Sequence, residues 1–93
     1  MDEKLKESIE RAVHVLKRAG AQEVYLFGST ASGVPRADSD VDLAVSGLPP
    51  ENFFSALGQA ADLLPCSLDL VDLDEVNPFT RYLKEEGELR RVG

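Results

Sequence analysis

Basic residues are scarce in this chain of 93 residues, which has 10 Lys and Arg against 17 Asp and Glu and a formal net charge of −7. Proteins that bind along a nucleic-acid backbone need a basic surface to displace its counterions. We therefore do not expect a nucleic acid as a partner. Between Val24 and Val76 the single basic residue is Arg36. This charge distribution favours a site for cations, or for an anion that arrives with its own cations.

Cysteine and long apolar runs are also lacking. The single cysteine, Cys66, excludes an intramolecular disulfide, and we expect it to be a buried, inert thiol. No secretory leader and no apolar run of about 18 residues is present, so we expect a cytoplasmic protein that does not span a membrane. The length fits one domain, residues 1–93, and a hydrophobic content of 43% is ordinary for a globular fold.

The spacing of apolar residues changes along the chain between the helical period and the strand period. It predicts helices from about Asp2 to Gly20, from Pro50 to Leu64 and from Pro78 to Gly87, and strands at 23–27, 40–45 and 67–73, with a weak fourth strand permitted at 88–92. The fold class is therefore α/β (α+β), a small mixed sheet of three to four strands flanked by helices.

Two aspartates stand where a strand ordinarily prefers apolar or neutral residues. Asp40 and Asp42 are two positions apart, so both side chains leave the same face, roughly 7 Å apart at Cα. Neighbouring carboxylates repel each other unless a positive charge lies between them, and Mg²⁺ prefers oxygen ligands. Taken alone, such a pair is more often a solvated strand face.

A second feature precedes this pair. Gly28-Ser29 follows an apolar strand at a turn, where a glycine lets backbone N–H groups approach an anion and a serine adds a hydroxyl donor. If the strands predicted at 23–27 and 40–45 pair with each other, this turn and the two acids lie at the same end of the sheet. Asp69 on the next strand is the candidate third carboxylate. Asp72 falls on the opposite strand face, and we expect Asp74 to cap a helix.

The order of these segments resembles a known signature. Residues 27–33 (FGSTASG) followed by 39–45 (SDVDLAV) are similar to the hydrophobic-Gly-Ser, ten residues, Asp-x-Asp pattern of minimal nucleotidyltransferases in the DNA polymerase β superfamily. Leu68-Asp69-Leu70-Val71 resembles the segment with that family's third acid. The resemblance implies a polymerase β-like fold and transfer of a nucleoside monophosphate, AMP from ATP, with release of pyrophosphate.

The resemblance also implies a role for each matching residue. Asp40 and Asp42 would hold two Mg²⁺ ions, and Asp69 would help to bind a metal and take the proton of the acceptor hydroxyl. Gly28 and Ser29 would hold the β- and γ-phosphates of ATP. Many members have arginine where this chain has Ser32, so that phosphate contact is either missing or supplied by Arg36.

Short members of this family often act as antitoxins that add AMP to a tyrosine of a HEPN-domain toxin. The resemblance therefore implies a HEPN-type partner, and the absence of a helical domain after the third acid suggests that a partner completes the site as a hetero-oligomer. Two alternatives stay open: a regulatory subunit that acts by binding alone, and a transferase that modifies a small molecule of the antibiotic type. We favour the protein-modifying enzyme because all three acids are present.

Overall fold

The computed structural model describes residues 3–28, 40–87 and 89–93. Within these residues three helices accompany a four-stranded sheet. The elements are α1 (Glu3–Arg18), β1 (Glu23–Leu26), β2 (Val41–Ser46), α2 (Pro50–Asp62), β3 (Leu68–Asp72), α3 (Pro78–Glu85) and β4 (Arg90–Arg91). The predicted α+β class, with a small sheet flanked by helices, is confirmed.

Strand β2 occupies the interior of the sheet, whose strand order is β3-β2-β1-β4. It pairs antiparallel with β1, with Leu43 opposite Leu26, and parallel with β3, with Leu43 opposite Leu70. Strand β4 pairs antiparallel with the outer side of β1. The sheet is therefore mixed, and the weak fourth strand predicted near the end of the chain exists as a two-residue edge strand.

The two faces of the sheet differ in character. Alternate residues of β1 and β2 point to the face covered by α1 and α2, which we call the core face. Its side chains are fully or almost fully buried and join the apolar stripe of α1 in the main core: Leu5, Ile9, Ala12, Val13, Leu16, Val24, Leu26, Val41, Leu43 and Val45. Burial of this apolar surface is the main favourable term in folding.

The opposite face, which we call the acid face, is covered only in part. Phe27, Ala44, Leu73 and Leu83 form a small second cluster there, with Leu83 contributed by α3. Asp42 and Asp69 alternate with core-face residues along β2 and β3, so their side chains belong to the acid face. The core therefore lies mainly on one side of the sheet, and the other side leaves room for polar chemistry.

Helices α2 and α3 both begin with a proline, as the sequence predicts for Pro50. The predicted helix cap at Asp74 is wrong. Asn77 caps α3 instead, because it directly precedes the first helical residue and its side chain accepts a hydrogen bond from the N–H of Thr80, at 2.9 Å. The Asp74 carboxylate accepts a hydrogen bond from the N–H of Gly47, at 2.6 Å, just after β2.

The boundaries of the three helices and of β1, β2 and β3 are close to the predicted ones. The stretch before Glu3 lies outside the described residues, as does most of the predicted loop, residues 29–39. None of the helices in the described ranges is long and apolar enough to cross a membrane.

A core substitution tests the arrangement of the two faces. Leu43 is completely buried at the centre of the core face, so Leu43→Ala should lower the free energy of unfolding by about 2–5 kcal/mol. Phe54 on α2 is 80% exposed, and Phe54→Ala should change it by less than about 0.5 kcal/mol. Urea unfolding followed by circular dichroism measures both, and equal losses would contradict the assigned core.

Candidate active site

The parallel pairing of β2 and β3 brings two of the predicted acids together. Asp42 and Asp69 are register partners on adjacent strands, and both side chains leave the acid face. Their carboxyl groups are close enough for a hydrogen bond between them. Two acids far apart in the sequence are therefore joined at the end of the sheet where β1 finishes.

Asp40 lies at the margin of this pair. It immediately precedes β2 and is exposed, and its charge acts on two neighbours, Asp42 and Cys66. Cys66 is half-buried rather than fully buried as expected. Burial, together with the negative charge of Asp40, raises the pKa of the Cys66 thiol, which disfavours the reactive thiolate form.

The protonation of Asp42 is set by its surroundings. Partial burial raises the pKa of its carboxyl, and the charge of Asp69, the hydrogen bond with Asp69 and the charge of Asp40 raise it further. All four effects disfavour a negative charge at this position, because desolvation and nearby carboxylates both oppose ionisation. A cation beside Asp42 would therefore stabilise the charged form of its carboxyl.

Gly28 closes the site from the side of β1. Its φ is +63°, a backbone conformation that glycine adopts without strain. A methyl group added to its Cα would lie 2.7 Å from Oδ2 of Asp42, so the glycine backbone directly faces this carboxylate. The antiparallel pairing of β1 and β2 explains the approach, since the end of one strand meets the start of the other. The predicted position of the glycine turn and the acids at one end of the sheet is confirmed.

The donor set fits a hard divalent cation. In residues 3–28, 40–87 and 89–93, no group of three or more acidic, histidine or cysteine side chains is placed closely enough to form a ready-made metal site. The paired oxygens of Asp42 and Asp69 nevertheless offer the ligands that Mg²⁺ prefers, and Mg²⁺ commonly binds through one or two carboxylates with water and phosphate oxygens completing its shell. The charge of Asp40 adds to the negative potential at this pair.

Three predicted phosphate-binding residues, Ser29, Ser32 and Arg36, lie outside the described residues. Asp72, which the strand period placed on the opposite face from Asp69, accepts a hydrogen bond from the N–H of Asp74 and takes no part in the acid pair. Sequence reasoning gave no role to Phe79, whose ring contacts Phe27 beside the site. No spacing rule connects these two residues, so the sequence offered no signal for this contact.

The chain also matches a known protein family. Residues 3–89 match the sequence model of the family described as "Polymerase beta, Nucleotidyltransferase", which covers most of the chain. The chain belongs to this nucleotidyltransferase family. Among curated protein sequences, no significant match to the chain was found.

Solved structures share this family's fold with the chain. A protein described as a candidate minimal nucleotidyltransferase is 29% identical, with 95% of each chain covered and a TM-score of 0.73. A toxin–antitoxin structure with AMP-PNP is 27% identical over 86% of this chain and 70% of that one, with a TM-score of 0.65. A complex of a tri-AMPylated HEPN toxin of Shewanella oneidensis with its MNT antitoxin matches at 22% identity, covering 91% and 70%, with a TM-score of 0.63.

The raised pKa of Asp42 predicts a pH-dependent change in stability. An acid with a higher pKa in the folded state favours folding while it keeps its proton, and this advantage is lost as the pH rises through the raised pKa. Without divalent cations, Asp42→Asn should therefore raise the urea midpoint at about pH 7. The gain should vanish below the ordinary Asp pKa of about 4.

The matched control for this measurement is Glu75→Gln, at an exposed acid in the turn before α3. This variant should show no comparable gain at neutral pH. A lower midpoint for Asp42→Asn than for the wild type at neutral pH, without metal, would contradict the electrostatic account of the pair.

The close approach of Gly28 predicts a functional effect of a single methyl group. Gly28→Ala should cost about 1–3 kcal/mol through backbone strain and should displace the Asp42 carboxylate, which can rotate away. Calorimetry should then show weaker binding of Mg²⁺ by a protein that still folds. Gly58→Ala on α2 is the control, because a methyl group there meets no other atom within 4 Å. Unchanged Mg²⁺ affinity in Gly28→Ala would refute the proposed contact.

Proposed function

We propose that this protein transfers AMP from ATP to a hydroxyl group of a partner protein. The observation that carries the proposal is the pairing of Asp42 and Asp69 on adjacent strands, with Gly28 directly against Asp42. An acid with a raised pKa in such an arrangement, as Asp42 is, is typical of functional sites. Membership of the nucleotidyltransferase family supports the reaction class, and the similarity to an antitoxin structure with AMP-PNP supports the nucleotide.

The residues that would hold two Mg²⁺ ions are Asp42, Asp69 and Asp40. When bound, Mg²⁺ would supply positive charge to the phosphates and to the leaving pyrophosphate. The raised pKa of Asp42 supports this assignment, since a cation removes the repulsion that disfavours its charged form. Asp40 directly precedes β2 and is exposed, and its charge acts on Asp42, which supports its place in the same cation site.

The transfer itself is a displacement at the α-phosphorus of ATP. The acceptor oxygen forms a bond to this phosphorus while the bond to the bridging oxygen of pyrophosphate breaks. Asp69 takes the proton of the acceptor hydroxyl as the new bond forms. The backbone at Gly28, with Ser29 and either Ser32 or Arg36, would hold the β- and γ-phosphates. The contribution of the protein is then mainly orientation and charge complementarity.

The acceptor on this proposal is a HEPN-type toxin, and the protein acts in the cytoplasm as its antitoxin in a hetero-oligomer. The similarity to MNT antitoxins found in complexes with HEPN toxins supports this partner. The resemblance in sequence points to a tyrosine hydroxyl as the acceptor, and the AMPylated toxin in that complex supports AMP as the transferred group. In the part of the chain that the structure describes, large apolar side chains at Phe54 and Val76 are 80% and 96% exposed, which suits contact with a partner.

The transfer reaction can be tested directly. The protein should be incubated with ATP labelled at the α-phosphate, Mg²⁺ and the product of its neighbouring gene as the candidate partner. Label should appear on the partner, and Asp42→Asn should reduce the rate by about a hundredfold or more, because the site then lacks one charged ligand. Glu75→Gln should transfer at the wild-type rate. Absence of transfer by the wild type, or full transfer by Asp42→Asn, would refute the proposal.

A second candidate function is neutralisation of the partner by contact alone. It is favoured by the exposed apolar residues and by the lack of a ready-made three-ligand metal site among the described residues. This function predicts that Asp40→Ala protects cells from the partner as well as the wild type does. The enzymatic function predicts that this substitution abolishes protection, so a growth assay with the co-expressed partner separates the two.

A further inference from the structure

An exposed aromatic ring lies against Phe27, the residue whose backbone pairs with that of Asp42. Phe79, the second residue of α3, is 50% exposed, although its ring contacts the buried ring of Phe27. The two ring centroids are 6.1 Å apart and the planes meet at 68°, so the rings are not stacked face to face. Phe79 therefore has aromatic surface available to another molecule.

The position of Phe27 places this surface beside the site. Phe27 follows β1 and continues its pairing with β2, donating its N–H to the carbonyl oxygen of Asp42 at 3.1 Å. Its side chain belongs to the acid face, with Ala44 and Leu73. The Phe79 ring lies against Phe27 and is therefore one ring away from the strand position of Asp42. A single exposed aromatic residue is ordinary on a protein surface. Phe79 is a candidate ligand contact because it lies against Phe27, which pairs with Asp42.

Helix α3, which carries this ring, also has other contacts with the rest of the fold. Leu83 buries the helix against the acid face, and Thr80 is almost fully buried. The start of the helix is fixed by Pro78 and by the reciprocal hydrogen bonds between Asn77 and Thr80. A ring on such a support loses little freedom when it contacts a ligand, which favours binding.

We propose that Phe79 forms a stacking subsite for the nucleobase of the nucleotide. This inference rests on the proposed function, because it assumes that the triphosphate binds at the acid pair and Gly28. A nucleotide held there by its phosphates must place its base nearby, and aromatic side chains stack on bases of every kind. The subsite retains the nucleotide with little choice between bases, since every base presents a π face.

The experiment compares two ligands that differ in the base. Calorimetry with Mg²⁺ measures the Kd of ATP and of inorganic tripolyphosphate, which has the phosphates alone. Phe79→Leu keeps an apolar contact with Phe27 but lacks a flat ring, so it should weaken ATP binding by about tenfold and leave tripolyphosphate binding unchanged. Phe79→Tyr should restore ATP binding to within about twofold of the wild type. Phe54→Leu, at the other exposed phenylalanine, should change neither.

The outcomes separate this inference from the function on which it rests. Wild-type ATP affinity in Phe79→Leu, or equal weakening of ATP and tripolyphosphate, overturns the subsite while the acid site stands. If the wild type binds tripolyphosphate and ATP equally well, the base makes no contact and the subsite is likewise refuted. If the wild type binds neither ligand, both the proposed function and the subsite fall.

Discussion

The pairing of β2 with a neighbour on each side is the interaction on which the rest of the molecule depends. One register places Gly28 against Asp42, and the other places Asp69 beside it. Because successive strand residues alternate between faces, a shift of one residue in either register would exchange acids and core residues. The buried Val41, Leu43 and Val45 oppose such a shift. The core thus fixes the register, and the register brings the acids together.

These two registers bring together carboxylates that repel each other. Asp42 is partly desolvated and faces two other carboxylates, so its charged form is disfavoured in the absence of a counter-ion. The fold tolerates this electrostatic cost because the acids lie on a face that is only partly covered. The apolar core on the other face supplies the stability. A cation or a cation-bound phosphate would relieve the conflict, which links the stability of the fold to occupancy of the site.

Much of the fold could be predicted from the sequence, because its elements have regular apolar periods and end at clear breakers such as glycine and proline. The stripe of α1, Pro50 at the start of α2 and the alternation in β2 all led to elements within a few residues of those observed. The candidate acids could also be identified from the sequence, because strands prefer apolar or neutral residues and aspartates there are unusual. Asp69 could be proposed as the third acid from its place on the next strand and from the family resemblance, but its partnership with Asp42 depends on a parallel register that no local pattern contains.

The errors and omissions have a common physical origin. Asp74 was predicted to cap a helix from its sequence position, yet its carboxylate binds the N–H of Gly47, 27 residues away in the chain. Phe79 received no role because its contact with Phe27 arises when α3 folds back on the acid face. Side-chain pairings between distant segments depend on tertiary geometry, whereas periods and breakers act locally. The sequence predicts the elements well and their cross-contacts poorly.

The separation of the two sheet faces has a consequence for how such a chain can change over time. The residues that stabilise the fold are chiefly on the core face, and the acids contribute little that packing requires. Substitutions at the acids can therefore accumulate without unfolding the protein. A chain of this fold could therefore lose its acids by substitution at two or three positions and still keep a folded domain.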